Sequence, residues 1–361
     1  MSKVQSEVPD DLIYHYTDQS GLVGIIERRE IWATNVSFLN DTSEVSHGVN
    51  YLGDHKGELL NALIESRALD SRFSKSYGAV LEYLISKAEE RYLLKDPREY
   101  LFVSSFFDSS ALRRAKGRRV DAGDVLEQWR AYSKGGVGYS IGFDRSVLES
   151  QVAKEAGTHF YSYCGGCIYS EDEKAAEAKG ILELLKPACD IAMRIAYKDW
   201  AQDPQGATHA DGQTALPTEN SERPRTGGTP KDREAIFDAL QYYWGRKMIS
   251  ASLMKNEAFA SEHEWRIVRL AFTGSGPVRF RAVKDGILPY SAVSIADDKV
   301  SEHLAPGVIR RIVIGPTGTA PRGKLEREAR SVKMLLEHHG VEIRSDNNQS
   351  GVTIECSTLP C

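Results

Sequence analysis

The sequence predicts an α+β fold, in which a mixed β-sheet forms the core and helices are inserted between its strands. Segments with strand periodicity occur from one end of the chain to the other, and helical segments separate them. The chain has 361 residues, of which 41% are apolar, so it is long enough to bury one large core. We therefore predict a single domain over residues 12–345, between a flexible N-terminus at 1–11 and a polar tail at 346–361.

Short alternating or continuous apolar runs mark the predicted strands. They lie at 12–17, 31–34, 100–106, 138–143, 265–270, 277–283, 287–296, 309–314 and 341–344, and residues 158–169 are also predicted to be extended. Apolar residues at helical spacing predict the helices between them. These lie at 21–29, 57–94, 171–198, 234–256 and 321–339, with a further helix that Asp124 caps. Residues 201–233 lack apolar periodicity and are rich in Pro, Gly, Thr, Asp and Asn, which predicts a disordered insertion.

The composition excludes several broad classes of function. The formal net charge is −5 and the pI is about 6.0, so the chain as a whole has no nucleic-acid signature. Five cysteines, an odd number, favour a reducing compartment over a disulfide scaffold. No segment approaches the roughly 18 apolar residues of a membrane span. We expect a cytoplasmic protein without a membrane partner.

A histidine and two glutamates are the strongest candidates for a functional site. His15 lies between two tyrosines in the first predicted strand, and Glu262 and Glu264 lie where a loop enters a later strand. Since side chains alternate along a strand, residues at i and i+2 are predicted to share a face. The alternatives are structural: His15 is a half-buried residue with its hydrogen bonds satisfied, and Glu264 pairs with Arg266.

Several separated motifs occur in an order typical of one bacterial family. They are Tyr14-His15-Tyr16-Thr17, Phe38-Leu39-Asn40-Asp41 with Glu44, Gln128-Trp129-Arg130 with Tyr132, Gly138 to Asp144, Lys255 with Phe259, Glu262 to Arg266, and Val313 to Pro316. Over residues 12–345 the chain resembles the domain of unknown function 2971 family. Its histidine strand, its serine-bearing middle strand and its late glutamate are more distantly similar to the ADP-ribosyltransferase superfamily, whose fold the sheet core is then expected to share.

The second resemblance implies a role for each matched residue, with NAD as substrate. Glu264 resembles the catalytic glutamate, Glu262 its acceptor-facing partner, and His15 the residue that contacts the adenosine ribose. Tyr16 would border the nicotinamide pocket, and Ser140 would support the site from the middle strand.

Two tyrosines that would enclose nicotinamide are not evident at the family's spacing, and Tyr132 and Tyr139 are the candidates. Arg130, two residues before Tyr132, is a candidate phosphate ligand. Its alternative role is an ion pair with an acidic neighbour.

The resemblance favours transfer of ADP-ribose from NAD to a macromolecule, either a nucleic acid or a protein, as in bacterial toxins and phage-defence effectors. Hydrolysis of NAD would use the same residues. The competing hypothesis is a non-catalytic sensing module that binds a nucleotide or a partner without turnover.

The other motifs are predicted to be structural. Cys164 and Cys167 have the CxxC spacing of a metal knuckle, but no second knuckle follows, so no metal site is predicted. The basic run 113–119 contains no stacking aromatic residue and is predicted to be a solvated loop. Asp41 and Glu44 are expected to cap a helix.

Overall fold

The structure is a computed structural model, and the chain in it divides into two compact units. A sheet unit contains residues 1–40, 100–167 and 256–361, and a helical unit contains residues 41–99 and 168–255. The structure describes residues 11–39, 43–65, 77–86, 100–108, 110, 121–132, 137–155, 160–202, 229–271, 278–283, 286–316, 322–345 and 351–359. The sequence predicts one domain instead, because the helical unit is inserted in two separate segments and leaves no single boundary along the chain.

The sheet unit contains a ten-stranded sheet within the described residues. Its strands are β1 (Leu12–Thr17), β2 (Glu30–Asn35), β3 (Leu101–Asp108), β4 (Tyr139–Asp144), β5 (Phe160–Gly166), β6 (Glu264–Ala271), β7 (Val278–Val283), β8 (Gly286–Ser294), β9 (Ile309–Ile314) and β10 (Thr353–Cys356). The pairings are antiparallel except for β10 with β9, which is parallel. The predicted α+β class with a mixed sheet is therefore confirmed.

Helices occur in both units. They are α1 (Gln19–Arg28), α2 (Ser43–Asp54), α3 (Lys56–Glu65), α4 (77–86), α5 (Leu126–Tyr132), α6 (Arg145–Glu155), α7 (Glu171–Glu183), α8 (Lys186–Gln202), α9 (Pro230–Leu253) and α10 (Arg322–His338). No helix among the described residues is long and apolar enough to cross a membrane.

The sheet divides into two arms at β3. One edge of β3 pairs with β6 over seven residues. On the other edge, β2 pairs with Phe102 and Val103, and β1 pairs with Phe107 and Asp108. The ladder therefore pairs none of residues 104–106 with either strand. We call this unpaired stretch of β3, with the adjoining parts of β1 and β2, the fork.

Two apolar clusters lie in the sheet unit. The larger contains β-strand residues such as Ile13 and Phe106 together with apolar residues of α1, α6 and α10. The smaller contains Tyr14, Tyr16 and Trp129, and so includes α5. Each fully buried aliphatic side chain contributes about 2 kcal/mol relative to exposure, so these clusters provide most of the stability of the unit.

The helical unit is built around close helix contacts. Gly48 of α2 lies so near Ala251 of α9 that a Cβ atom at Gly48 would be 2.1 Å from the Ala251 carbonyl oxygen. The N-terminus of α9 has a capping box, in which Thr229 and Asp232 bind each other's backbone N–H groups. Glu177 of α7 accepts hydrogen bonds from Arg246 and Ser250 of α9.

The structure differs from the predicted elements at three places. The helix α9 begins at Pro230, inside the segment predicted to be disordered. The strand β10, at Thr353–Cys356, lies inside the predicted polar tail, whereas residues 341–344 contribute only an isolated bridge from Ile343 to Val352. The basic run 113–119, Asn40, Asp41, the side chain of Glu44, and residues 203–228 lie outside the described residues.

Candidate functional site

Glu262 and Glu264 do not share a strand. Glu262 is the last residue of a 3-10 helix, Glu257–Glu262, and His263 follows it in the left-handed region at φ 43°. The strand β6 begins only at Glu264. The prediction that the two carboxylates lie on one strand face was wrong, because that spacing argument requires an extended backbone at the residue between them.

Glu264 is bound by an arginine of its own strand. Arg266 donates from Nε to Oε1 at 2.7 Å and from Nη2 to Oε2 at 2.8 Å. The side chains of Arg266 and Glu264 are 3% and 11% exposed. The thiol of Cys167 lies 3.8 Å from Oε2. Both carboxylate oxygens are therefore engaged in a buried bidentate ion pair.

His15 and Glu264 leave opposite faces of the sheet. The register pairs Tyr14 with Phe107, and Phe107 with Glu264. Since directly opposed residues on neighbouring strands point to the same side, these three side chains share a face. His15 is the next residue along β1 after Tyr14, so its side chain lies on the other face. The predicted arrangement of His15 and Glu264 around one ligand is not formed.

His15 occupies the fork. Its Nδ1 lies 2.9 Å from the carbonyl oxygen of Ser105, and since a carbonyl only accepts, Nδ1 donates. Its ring packs against Phe106, and the ring of Phe106 packs against Trp265. Burial lowers the pKa of His15 below 6.5; the bond to Ser105 opposes this change, and the charge of Arg281 adds to it. His15 is thus neutral at pH 7, with Nε2 as an acceptor.

Tyr16 and Ser140 are paired neighbours in the interior of the sheet unit. Tyr16 is 5% exposed and Ser140 is fully buried. The Tyr16 hydroxyl donates to the carbonyl of Ala122 at 2.7 Å and accepts from the N–H of Val125 at 3.1 Å. Its ring packs edge-on against Trp129. These contacts make Tyr16 a packing residue beneath the segment that leads into α5, not the border of a pocket.

The other predicted ligand residues on α5 are exposed. Tyr132 is 42% exposed, and Arg130 is also exposed. Between them and the sheet lies the buried Trp129, whose indole N–H donates to Asp124 at 2.8 Å. Asp124 also accepts from the N–H of Thr358. Asp124 therefore binds the C-terminal segment, and Arg130 and Tyr132 lie on the outer side of the helix.

Cationic and aromatic side chains gather at the fork instead. The guanidinium carbon of Arg281, on β7, lies 5.0 Å from the ring centroid of Trp32 on β2, and that of Arg28, at the end of α1, lies 5.6 Å from it. Arg281 also donates to the hydroxyl of Thr34 at 2.9 Å and lies 6.0 Å from the ring centroid of Tyr290. We call these five residues the fork cluster.

The carboxylate of Glu30 in this region binds groups other than Arg28 and Arg281. Glu30 accepts from the indole N–H of Trp32 at 2.9 Å and from Arg279 at 2.6 Å. Its two oxygens thus fix the indole and neutralise Arg279. The remaining positive charge of the region is carried by the other two arginines.

Arg28 and Arg281 form no ion pair with a carboxylate in the part of the chain that the structure describes. The Nε of Arg281 is buried without a hydrogen-bond partner. Burial lowers the pKa of Arg281, and the charges of Tyr290 and Asp18 oppose this change. Asp18 itself caps α1 through the N–H of Gly21. A buried guanidinium without a carboxylate is costly, so it is expected to serve an anionic ligand.

The two cysteines of the CxxC pair lie in different surroundings. Cys164 is opposite Ile267 in the register and packs against the larger core cluster, while the thiol of Cys167 lies beside Glu264. Burial raises the pKa of the Cys164 thiol to about 12, which makes it unreactive. Among the described residues, no group of three or more His, Cys, Asp or Glu side chains could hold a metal ion.

A cavity of about 550 Å³ lies elsewhere in the sheet unit. It is lined by residues of the loop 297–310 and of the segment 340–352. None of the residues predicted from the sequence lines it. Tyr139, the remaining predicted candidate, is 2% exposed and its hydroxyl donates to Glu328 of α10.

The fork cluster was missed from the sequence, although two local signals were present. Gly24 and Arg28 lie one helical turn apart, before a tryptophan in the next strand, and Arg279 and Arg281 alternate in a predicted strand. Each of these two sequence patterns alone is typical of a protein surface that binds no ligand. Only the sheet order, which places β2 beside β8 and β8 beside β7, brings them together.

Comparison with known families supports the first resemblance. Residues 128–267 match the family model described as "Protein of unknown function (DUF2971)". The predicted resemblance to this family is therefore confirmed. No curated protein and no solved structure matched the chain.

Proposed function

We propose that this protein, whose residues 128–267 match the DUF2971 family model, is a non-catalytic module that binds a nucleotide at the fork. The phosphate of the ligand would bind Arg281. The observation that carries the proposal is the half-buried guanidinium of Arg281, which lies 5.0 Å and 6.0 Å from the ring centroids of Trp32 and Tyr290 and forms no ion pair in the described residues. The nucleotide part of the proposal comes from the sequence resemblance to proteins that bind NAD.

The chemistry of the fork cluster suits a phosphate. Arginine binds phosphate with two parallel N–H donors, and its plane stacks on aromatic rings. Trp32 and Tyr290 hold the guanidinium of Arg281, so little side-chain entropy would be lost when a ligand binds.

The state of Glu264 supports the non-catalytic half of the proposal. A carboxylate that stabilises an oxocarbenium-like transition state must face the ribose. Glu264 instead binds Arg266 with both of its oxygens. Transfer of ADP-ribose would require this pair to separate and would remove the ion pair from the buried Arg266.

Isothermal titration calorimetry tests whether a nucleotide binds at the fork. The full chain is titrated with ADP and with NAD at low ionic strength, beside Arg281→Gln and the control Arg327→Gln. The control removes the same charge from an exposed position on α10. We expect Arg281→Gln to weaken binding at least tenfold, about 1.4 kcal/mol, and the control to bind like the native chain.

Two results would overturn the proposal. Equal affinities of the native chain and Arg281→Gln, or no binding of either nucleotide by the native chain, would exclude the fork as a nucleotide site. Release of nicotinamide from NAD by the native chain above the rate in buffer would exclude the non-catalytic half. That second result would support the predicted transferase or hydrolase activity instead.

A further inference from the structure

We infer that the ligand carries a diphosphate, which Arg28 of α1 and Arg281 of β7 bind from two sides. This inference rests on the proposed function, because it assigns the chemical class of the ligand at the same site. A monophosphate would engage one guanidinium. A diphosphate offers oxygens to both.

The two arginines are held at one place by the same ring. Their guanidinium carbons lie 5.6 Å and 5.0 Å from the ring centroid of Trp32. Both also contact Tyr290: Arg28 donates from Nη1 to its hydroxyl at 3.3 Å, and the guanidinium carbon of Arg281 lies 6.0 Å from its ring centroid. Two cations are therefore gathered at one pair of aromatic side chains before any ligand binds.

The local sequence explains how α1 approaches Trp32. A Cβ atom at Gly24 would lie 2.3 Å from Cη2 of the indole, so only glycine lets the ring lie against the helix at this point. Arg28 is four residues later and therefore on the same side of the helix. The glycine thus fixes the indole under the last turn, where Arg28 extends over it.

Electrostatics favours a ligand with more than one negative charge. Glu30 neutralises Arg279, and in the described residues no carboxylate forms an ion pair with Arg28 or Arg281. The two charges next to the same indole repel each other, and a polyvalent anion that contacts both relieves this repulsion while it gains attraction from both. Because Arg28 and Arg281 belong to different elements, such a ligand would also join α1 to the β7–β8 hairpin.

Calorimetric titration of the full chain with AMP, ADP and inorganic pyrophosphate tests the inference. We expect ADP to bind at least tenfold more tightly than AMP, and pyrophosphate to compete with ADP. Arg28→Gln should lower the affinity for ADP about tenfold more than the affinity for AMP. Gly24→Ala, which displaces the indole without a change of charge, should also weaken ADP binding, and Arg327→Gln should not.

The outcomes separate this inference from the proposed function. Equal affinities for AMP and ADP, or an Arg28→Gln variant that weakens both nucleotides equally, would overturn the diphosphate assignment and leave Arg281 as a monophosphate site. If none of the three compounds binds the native chain, the proposed function fails as well. Arg28 is exposed, so its variant is expected to keep the melting temperature of the native chain, which circular dichroism checks.

Discussion

Two arginines in the same sheet are buried in different ways. Arg266 on β6 has its carboxylate two residues away, and the pair excludes water from both groups. Arg281 on β7 has aromatic rings and one hydroxyl around it, but no ion pair in the described residues. Removal of one partner of a buried ion pair lowers stability, whereas a half-buried charge without an ion pair is available to a ligand. The comparison thus separates a structural residue from a candidate ligand-binding residue.

The largest expected effect on stability tests the interpretation of Arg266 and its partner Glu264. Glu264→Ala removes the bidentate ion pair from the buried Arg266, so we expect the free energy of unfolding of the sheet unit to fall by about 3–5 kcal/mol. Denaturation in urea, followed by tryptophan fluorescence, measures it. The double variant with Arg266→Met should recover much of the loss. A loss below about 1 kcal/mol for the single variant would contradict the assignment of Glu264 to a structural pair.

A smaller effect, a gain in the free energy of unfolding, tests the interpretation of Arg281. Arg281→Met removes a half-buried cation and retains an apolar side chain against Trp32, so we expect the free energy of unfolding to rise by about 1 kcal/mol. The same denaturation experiment without ligand measures it. Arg279→Met serves as the contrast, since it leaves Glu30 without its cation and should lower stability. A clear loss of stability in Arg281→Met would show that this side chain is structural.

The smallest effect concerns the pH dependence contributed by His15. Its pKa in the folded chain is lowered, chiefly by burial, so the unfolded chain binds the proton more readily. The contribution of neutral His15 to the free energy of unfolding is fully present above pH 6.5. As the pH falls from 6.5 to 5.5, this contribution decreases by at most about 1 kcal/mol.

The variant His15→Asn isolates this contribution. Its side-chain amide can still donate to the Ser105 carbonyl but does not titrate. We expect the difference in unfolding free energy between pH 6.5 and 5.5 to be smaller than in the native chain. Parallel pH curves for the two chains would contradict the assignment of a neutral, buried His15.

Most strands could be predicted from the sequence, because their pattern is local. Continuous apolar residues at 101–103 and alternation at 139–144 both form strands close to their predicted bounds. The strand β10 was missed, because it has four residues and follows the polar segment 346–350.

The site was harder to predict than the strands. Whether His15 and Glu264 share a face depends on the register that pairs Tyr14 with Phe107 and Phe107 with Glu264, which no local pattern contains. The position of Glu262 depends on a left-handed residue at His263, which is unusual for a side chain other than glycine. Sequence alone therefore identified His15 as notable but assigned it the wrong neighbours.

The fork has a mechanical consequence for the sheet unit. Over three residues of β3, where an uninterrupted ladder would connect the two arms, the imidazole of His15 supplies one hydrogen bond to the main chain. Separation of β1 from β2 at this point breaks no ladder bond. Between Val103 and Phe107 the two arms are therefore joined by this side-chain hydrogen bond and by the packing of the larger apolar cluster, not by a ladder.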